Sequence, residues 1–155
     1  MQVLEGVRPT DDELIASIDA AHARVGRAER ELLGFVAQMG ERNVWISHGA
    51  RDYAHWFSMR LGISGWKARR LIASAHALQG LPLVSEALEE GHLCLDKVME
   101  LTRFAREGEE ADLISWAQGV SGTAIRHRGD LEIKKGSRRG ARRREEPLCA
   151  VVVRI

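Results

Sequence analysis

The 155-residue sequence predicts an all-α fold, and three observations carry that prediction. Apolar or small residues recur at alternating spacings of four and three from Leu14 to Met39. Gly, Pro and cap residues then divide the middle of the chain into short segments of helical period. No strand signal occurs before the β-branched run Leu148-Cys149-Ala150-Val151-Val152-Val153.

The first element opens at Thr10-Asp11-Asp12-Glu13, a capping box in which hydroxyl and carboxylate satisfy each other's orphan backbone amides. Behind it, Leu14, Ile18, Ala21, Val25, Ala28, Leu32, Phe35 and Met39 form a heptad seam, which predicts one long helix from about Asp11 to Gly40. Gly26 and Gly34 weaken it slightly. The seam has two readings, a dimerising coiled coil or a helix laid against its own domain. Alanine at positions 21 and 28 favours the second.

After a connector at Asn43–Gly49, helices are predicted at about Arg51–Leu61, Gly65–Gln79, Pro82–Glu90, Leu95–Arg106, Glu109–Gln118 and Gly122–Lys135. Gly62, Gly80 and Gly91 fall just past helix ends, where a left-handed residue satisfies the last carbonyls. Pro82 sits at a helix start, where its missing amide costs nothing. The domain plan is therefore a helical domain over 1–135, a flexible Gly- and Arg-rich basic linker over 136–147, and a terminal strand over 148–155. That strand has no second strand in the sequence to pair with, so it is read either as the start of a further module or as an edge for another molecule.

The formal net charge of +1 conceals a segregation. Arg126 to Arg144 holds nine Lys or Arg against Asp130 and Glu132, a local net charge of +7. Residues 51–79 carry Arg51, Arg60, Lys67, Arg69 and Arg70 against Asp52 alone, or +4, whereas residues 1–125 as a whole are acidic. Clustered cations of this kind suit a nucleic-acid surface, because counterion release rewards them together. Cys94 and Cys149 stand far apart without neighbouring Cys or His ligands, which argues for a reducing compartment and against a zinc ribbon or disulfide scaffold. No apolar run reaches a membrane span and the N-terminus lacks a signal-peptide profile, so the expected location is the cytoplasm.

The most informative local motif runs from Tyr53 to Ile72. Tyr53, Phe57 and Leu61 share one stripe of a first helix, Gly62 supplies a left-handed turn residue, Ile63 plugs the angle and Ser64 caps the next helix. Ala68, Leu71 and Ile72 then face inward. This reads as a helix-turn-helix whose second helix presents Trp66, Lys67, Arg69 and Arg70 to double-stranded DNA. Arg60 and Ser64 complete that candidate surface, and Arg138, Arg139, Arg142, Arg143 and Arg144 would add sequence-independent affinity from the tail. An αα-hairpin with solvated arginines is the plainer alternative. Trp45, Trp56 and Trp116 are read as packing residues.

Over about Glu29 to Lys135 the sequence resembles the actinobacterial domain of unknown function 222, or 13E12 repeat, family. The resemblance is carried by Glu31-Leu32-Leu33, Gly49-Ala50-Arg51, Trp56, Arg60-Leu61-Gly62-Ile63-Ser64, Ala68-Arg69, Ala77-Leu78, Leu81-Pro82-Leu83, Ala87-Leu88-Glu89-Glu90-Gly91-His92-Leu93 and Lys97-Val98-Met99-Glu100-Leu101-Thr102. The stretch Leu61 to Leu101 is also similar to the DNA-binding core of ParB partition proteins. The first resemblance implies an all-helical region commonly followed by an HNH endonuclease module, and the second implies DNA contact. His127 lacks a downstream Asn-x-x-His pattern, so the nuclease residues have no positions here. Cys94 stands where both families usually carry a capping serine, and a thiol is a poor N-cap.

No catalytic constellation is predicted. His22, His48, His55, His76, His92 and His127 are scattered without ligand spacing, and no nucleophile elbow, phosphate loop or dinucleotide fingerprint occurs. The acid pairs Glu89-Glu90, Glu109-Glu110 and Glu145-Glu146 are expected to be solvated. The sequence thus predicts a DNA-binding domain with no metal or cofactor, or alternatively a protein-interaction module that homodimerises through the heptad helix.

Overall fold

The computed structural model describes Gly6 and residues 8–145, and every regular element in that range is helical. Helix α1 spans Asp11–Arg42 and starts on the predicted box: the Glu13 amide donates to Thr10 Oγ1 at 3.2 Å, and the Thr10 amide donates to Glu13 Oε2 at 2.7 Å. A short 3-10 helix at Val44–His48 then lies between left-handed Asn43 and Gly49. It leads to α2 (Tyr53–Leu61), α3 (Gly65–Leu78), α4 (Pro82–Glu89), α5 (Leu95–Leu101), α6 (Glu110–Gln118) and α7 (Gly122–Glu145). The apolar run Leu148–Val153, read as a strand, lies outside the described residues.

Most boundaries follow the punctuation. Asp52 caps α2 through the His55 amide at 2.7 Å, and Ser64 caps α3 through the Lys67 amide at 3.1 Å. Gly62 and Gly91 are left-handed at φ 67° and 80°. Gly80 is not, because α3 ends at Leu78 on right-handed Gln79 and the following amides close short turns onto His76 and Ala77. Helix α5 stops before Thr102, short of the predicted Arg106, where the Thr102 hydroxyl donates to the Met99 carbonyl. Its N-cap Cys94 makes no side-chain bond to the helix, in line with the weak capping of a thiol.

The core runs through every helix: Leu33 and Val36 of α1, Phe57 of α2, Ala68, Leu71 and Ala75 of α3, Val84 and Leu88 of α4, Val98 and Leu101 of α5, Leu113 of α6 and Ile125 of α7. Helix α1 packs on α3 and α4. The approach is so close at Gly26 that a Cβ there would stand 2.3 Å from the Leu88 carbonyl oxygen. Tyr53 ties α2 to the same helix by donating to the Val36 carbonyl at 2.6 Å.

This packing corrects the reading of the heptad seam. The face laid against the domain is Gly26, Leu33 and Val36, whereas Leu14, Ile18, Val25, Leu32 and Phe35 of the seam are exposed. The first turns, Asp11 to Ala20, carry no buried residue at all. Glycine contributes almost no hydrophobic signal, so the face that depends on close backbone approach is invisible to a search for apolar period.

Two further expectations change. Glu110 is buried, not solvated, and its Oε2 accepts from the Val84 amide at 2.8 Å, supplying the missing partner at the start of α4. The region read as a flexible linker from residue 136 is helical through Glu145. Arg, Lys, Ala and Glu are good helix formers, and extending an existing helix costs far less than nucleating one; each glycine subtracts only about 1 kcal/mol.

Candidate functional site

The turn between α2 and α3 sets the orientation of the candidate surface. Gly62 returns its amide to the Ser58 carbonyl, and Ile63 packs against the core beneath the corner. Ala68, wholly buried, and Leu71 then fix the inner face of α3, with Ile72 partly buried beside them. The opposite side of its first turns carries Trp66, Lys67 and Arg69, all exposed; Trp66 is 61% exposed, unusual for its size. Ser64 is also exposed, with its hydroxyl committed to the cap. Arg60 is exposed on the α2 side of the corner, its guanidinium 5.8 Å from the centre of the Trp56 ring.

Arg70 differs from its neighbours. Its guanidinium lies 5.0 Å from the Trp66 ring centre and donates to Glu100 Oε1 at 2.7 Å, so it is held inward between α3 and α5. Glu100 is the hub of a cluster that sequence reading missed. Arg103 reaches its Oε2 at 2.9 Å, Arg126 of α7 reaches its Oε1 at 3.1 Å, and Arg103 also pairs with Asp130 at 2.6 Å. Burial alone would push the Glu100 carboxyl up, but the three guanidinium hydrogen bonds outweigh it and hold the group below the usual carboxylate range. The Arg103 hydrogen bond does the same for exposed Asp130. No local pattern could have revealed this hub, since its partners from α3 and α7 lie 30 and 26 positions away in sequence.

The hub places the start of α7 beside the start of α3. Trp66, Lys67 and Arg70 line an open cleft of about 380 Å³ together with Gly122, Thr123 and Arg126, and with the acids Asp96 and Glu100 of α5. The tail cations are elsewhere. Arg138 and Arg139 are exposed on the distal part of α7, and at 1.5 Å rise per residue Arg138 stands roughly 24 Å along the axis from Gly122. Arg142, Arg143 and Arg144 continue that helix, their side chains lying outside the described set.

A family profile for a domain of unknown function, DUF222, matches residues 13–145. The chain belongs to the DUF222 family. The match takes in α1 from its first turn and the whole of α7, so in this DUF222 chain the basic helical extension lies within the family region. No curated protein and no solved structure matches the chain.

Among the described residues of this DUF222 chain, no group of three or more His, Cys, Asp or Glu is placed to hold a metal ion. His92 instead faces Glu90 at 3.0 Å on the surface. Trp56 and Trp116 pack against the core, and Arg128 lies over the Trp116 ring at 4.5 Å. No described helix is long and apolar enough to cross a membrane.

Proposed function

We propose that this DUF222 chain is a DNA-binding helical domain whose α2–turn–α3 unit acts as a helix-turn-helix. The observation that carries the reading is the outward presentation of Trp66, Lys67 and Arg69 on the first turns of α3, with no acidic residue in that helix to offset them. Backbone amides at the start of a helix and cations on its outer face suit the phosphates flanking a major groove. Arg70 takes a different role from the one its sequence position suggests: it braces the Trp66 ring and neutralises Glu100, which makes it a positioning residue. Arg60 and the α7 cations Arg138, Arg139, Arg142, Arg143 and Arg144 supply backbone contacts flanking that centre. By resemblance, the domain serves as the recognition part of an HNH endonuclease-like or mobile-element protein, working in the cytoplasm.

The test is a titration of a duplex library at several salt concentrations. Lys67→Ala/Arg69→Ala is expected to weaken binding and flatten the salt dependence by about 0.9 in slope for each phosphate that the variant no longer neutralises. Both positions are exposed, so the variant is expected to keep the fold, checked by an unchanged far-ultraviolet circular dichroism spectrum. Binding unchanged in this variant overturns the assignment of α3.

A further inference from the structure

The exposed seam of α1 has the pattern of a surface that matches itself. We propose that α1 pairs antiparallel with α1 of a second copy of this chain, an inference independent of DNA binding. The stripe Leu14, Ile18, Val25, Leu32 and Phe35 is between 37% and 66% exposed along a side of the helix that borders the face that holds the domain. Soluble monomers rarely leave a contiguous apolar stripe of this length bare.

The order of residue sizes selects the orientation. In a parallel pair each seam residue meets its own copy, so Ala21 and Ala28 leave two gaps while Phe35 meets Phe35. With the two helices reversed and fully overlapped, Leu14 faces the partner's Met39, Ile18 faces the partner's Phe35, Ala21 faces the partner's Leu32, and Val25 faces the partner's Ala28. Every alanine is then opposite a larger side chain, the alternation that close packing requires. The flanking charges agree. Exposed Arg24 falls opposite the partner's Glu31, twice by symmetry, and each acidic first turn lies beside the partner's Arg42. Opposed helix dipoles add to the preference. The bare first turns of one α1 then cover the seam of the other at the level where that helix is anchored to its own domain.

Sedimentation equilibrium of the full chain over a dilution series tests this. The expected wild type is a dimer of twice the 17.3 kDa chain mass. Ile18→Glu/Val25→Glu, altering two exposed positions, is expected to be monomeric with an unchanged far-ultraviolet circular dichroism spectrum. Arg24→Glu should raise the dimer dissociation constant by about tenfold, because it sets like charges face to face, and Arg24→Glu/Glu31→Arg should restore it. A parallel pair would place Arg24 near the partner's Glu29 and gain nothing from the second change. A wild type that stays monomeric throughout overturns the pairing, as does a dimer that survives Ile18→Glu/Val25→Glu. Failure of the double charge swap to restore association overturns the antiparallel register.

Discussion

At Gly26, a single added methyl group would collide with the Leu88 carbonyl, a backbone atom that cannot swing aside. Gly26→Ala is therefore expected to destabilise the fold by roughly 1–3 kcal/mol despite alanine's better helix propensity, read as a lowered denaturant midpoint. Glu100 is the second sensitive position. Removing its charge in Glu100→Gln leaves three guanidinium groups facing one another, a loss of about 2 kcal/mol. That is below the 3–5 typical of fully buried pairs, because Arg103 and Arg126 are partly solvated. The sign of its pH dependence follows from the depressed carboxyl. Its contribution is complete above the ordinary carboxylate range and is lost as pH falls through the lower value it has in the folded chain. Thermal unfolding of the wild type should thus fall on acidification, and Glu100→Gln should flatten the part of that curve that Glu100 supplies.

At the scale of elements, helix starts were the most legible part of the sequence, because caps are local. Thr10 and Ser64 each bond to an amide three residues on, as their positions predict, whereas Asp52 caps α2 in the same way from inside the segment predicted to start at Arg51. Helix faces were less legible. In α1 the apolar period marked a real stripe but assigned it to the wrong environment, since the packing face, Gly26, Leu33 and Val36, borders that stripe and carries too few apolar residues to set a period of its own. The length of α7 was hidden for a different reason: glycine and arginine read as a flexible linker when counted as composition, yet they prolong a helix already anchored by Ile125 and Arg126. Gly136 has open space around it. Gly136→Ala is expected to strengthen the distal part of α7 by about 0.5–1 kcal/mol, measurable as greater amide protection beyond position 136.

Over the whole molecule, the candidate site was legible where it is contiguous in sequence and obscure where the fold assembles it. Trp66, Lys67 and Arg69 stand together on one turn, and sequence placed them correctly on an outer face. The diversion of Arg70 to Glu100, and the arrival of Arg126 beside α3, depend on helices that meet only in three dimensions. If α3 reads bases while α7 only adds attraction, the two sets of cations should separate experimentally. Arg138→Ala/Arg139→Ala should weaken binding to all duplexes alike and lower the salt slope, whereas Lys67→Ala/Arg69→Ala should also reduce discrimination between sequences.

The cluster around Glu100 has a stoichiometry with a consequence of its own. Three guanidinium groups share two carboxylates, so one positive charge is left over, and Arg126 is the most exposed of the three, at 58%. Arg70 and Arg103 would still match Glu100 and Asp130 in charge if Arg126 exchanged Glu100 for an incoming phosphate oxygen. A phosphate seated in the cleft beside α3 would therefore take Arg126 without leaving either carboxylate unmatched.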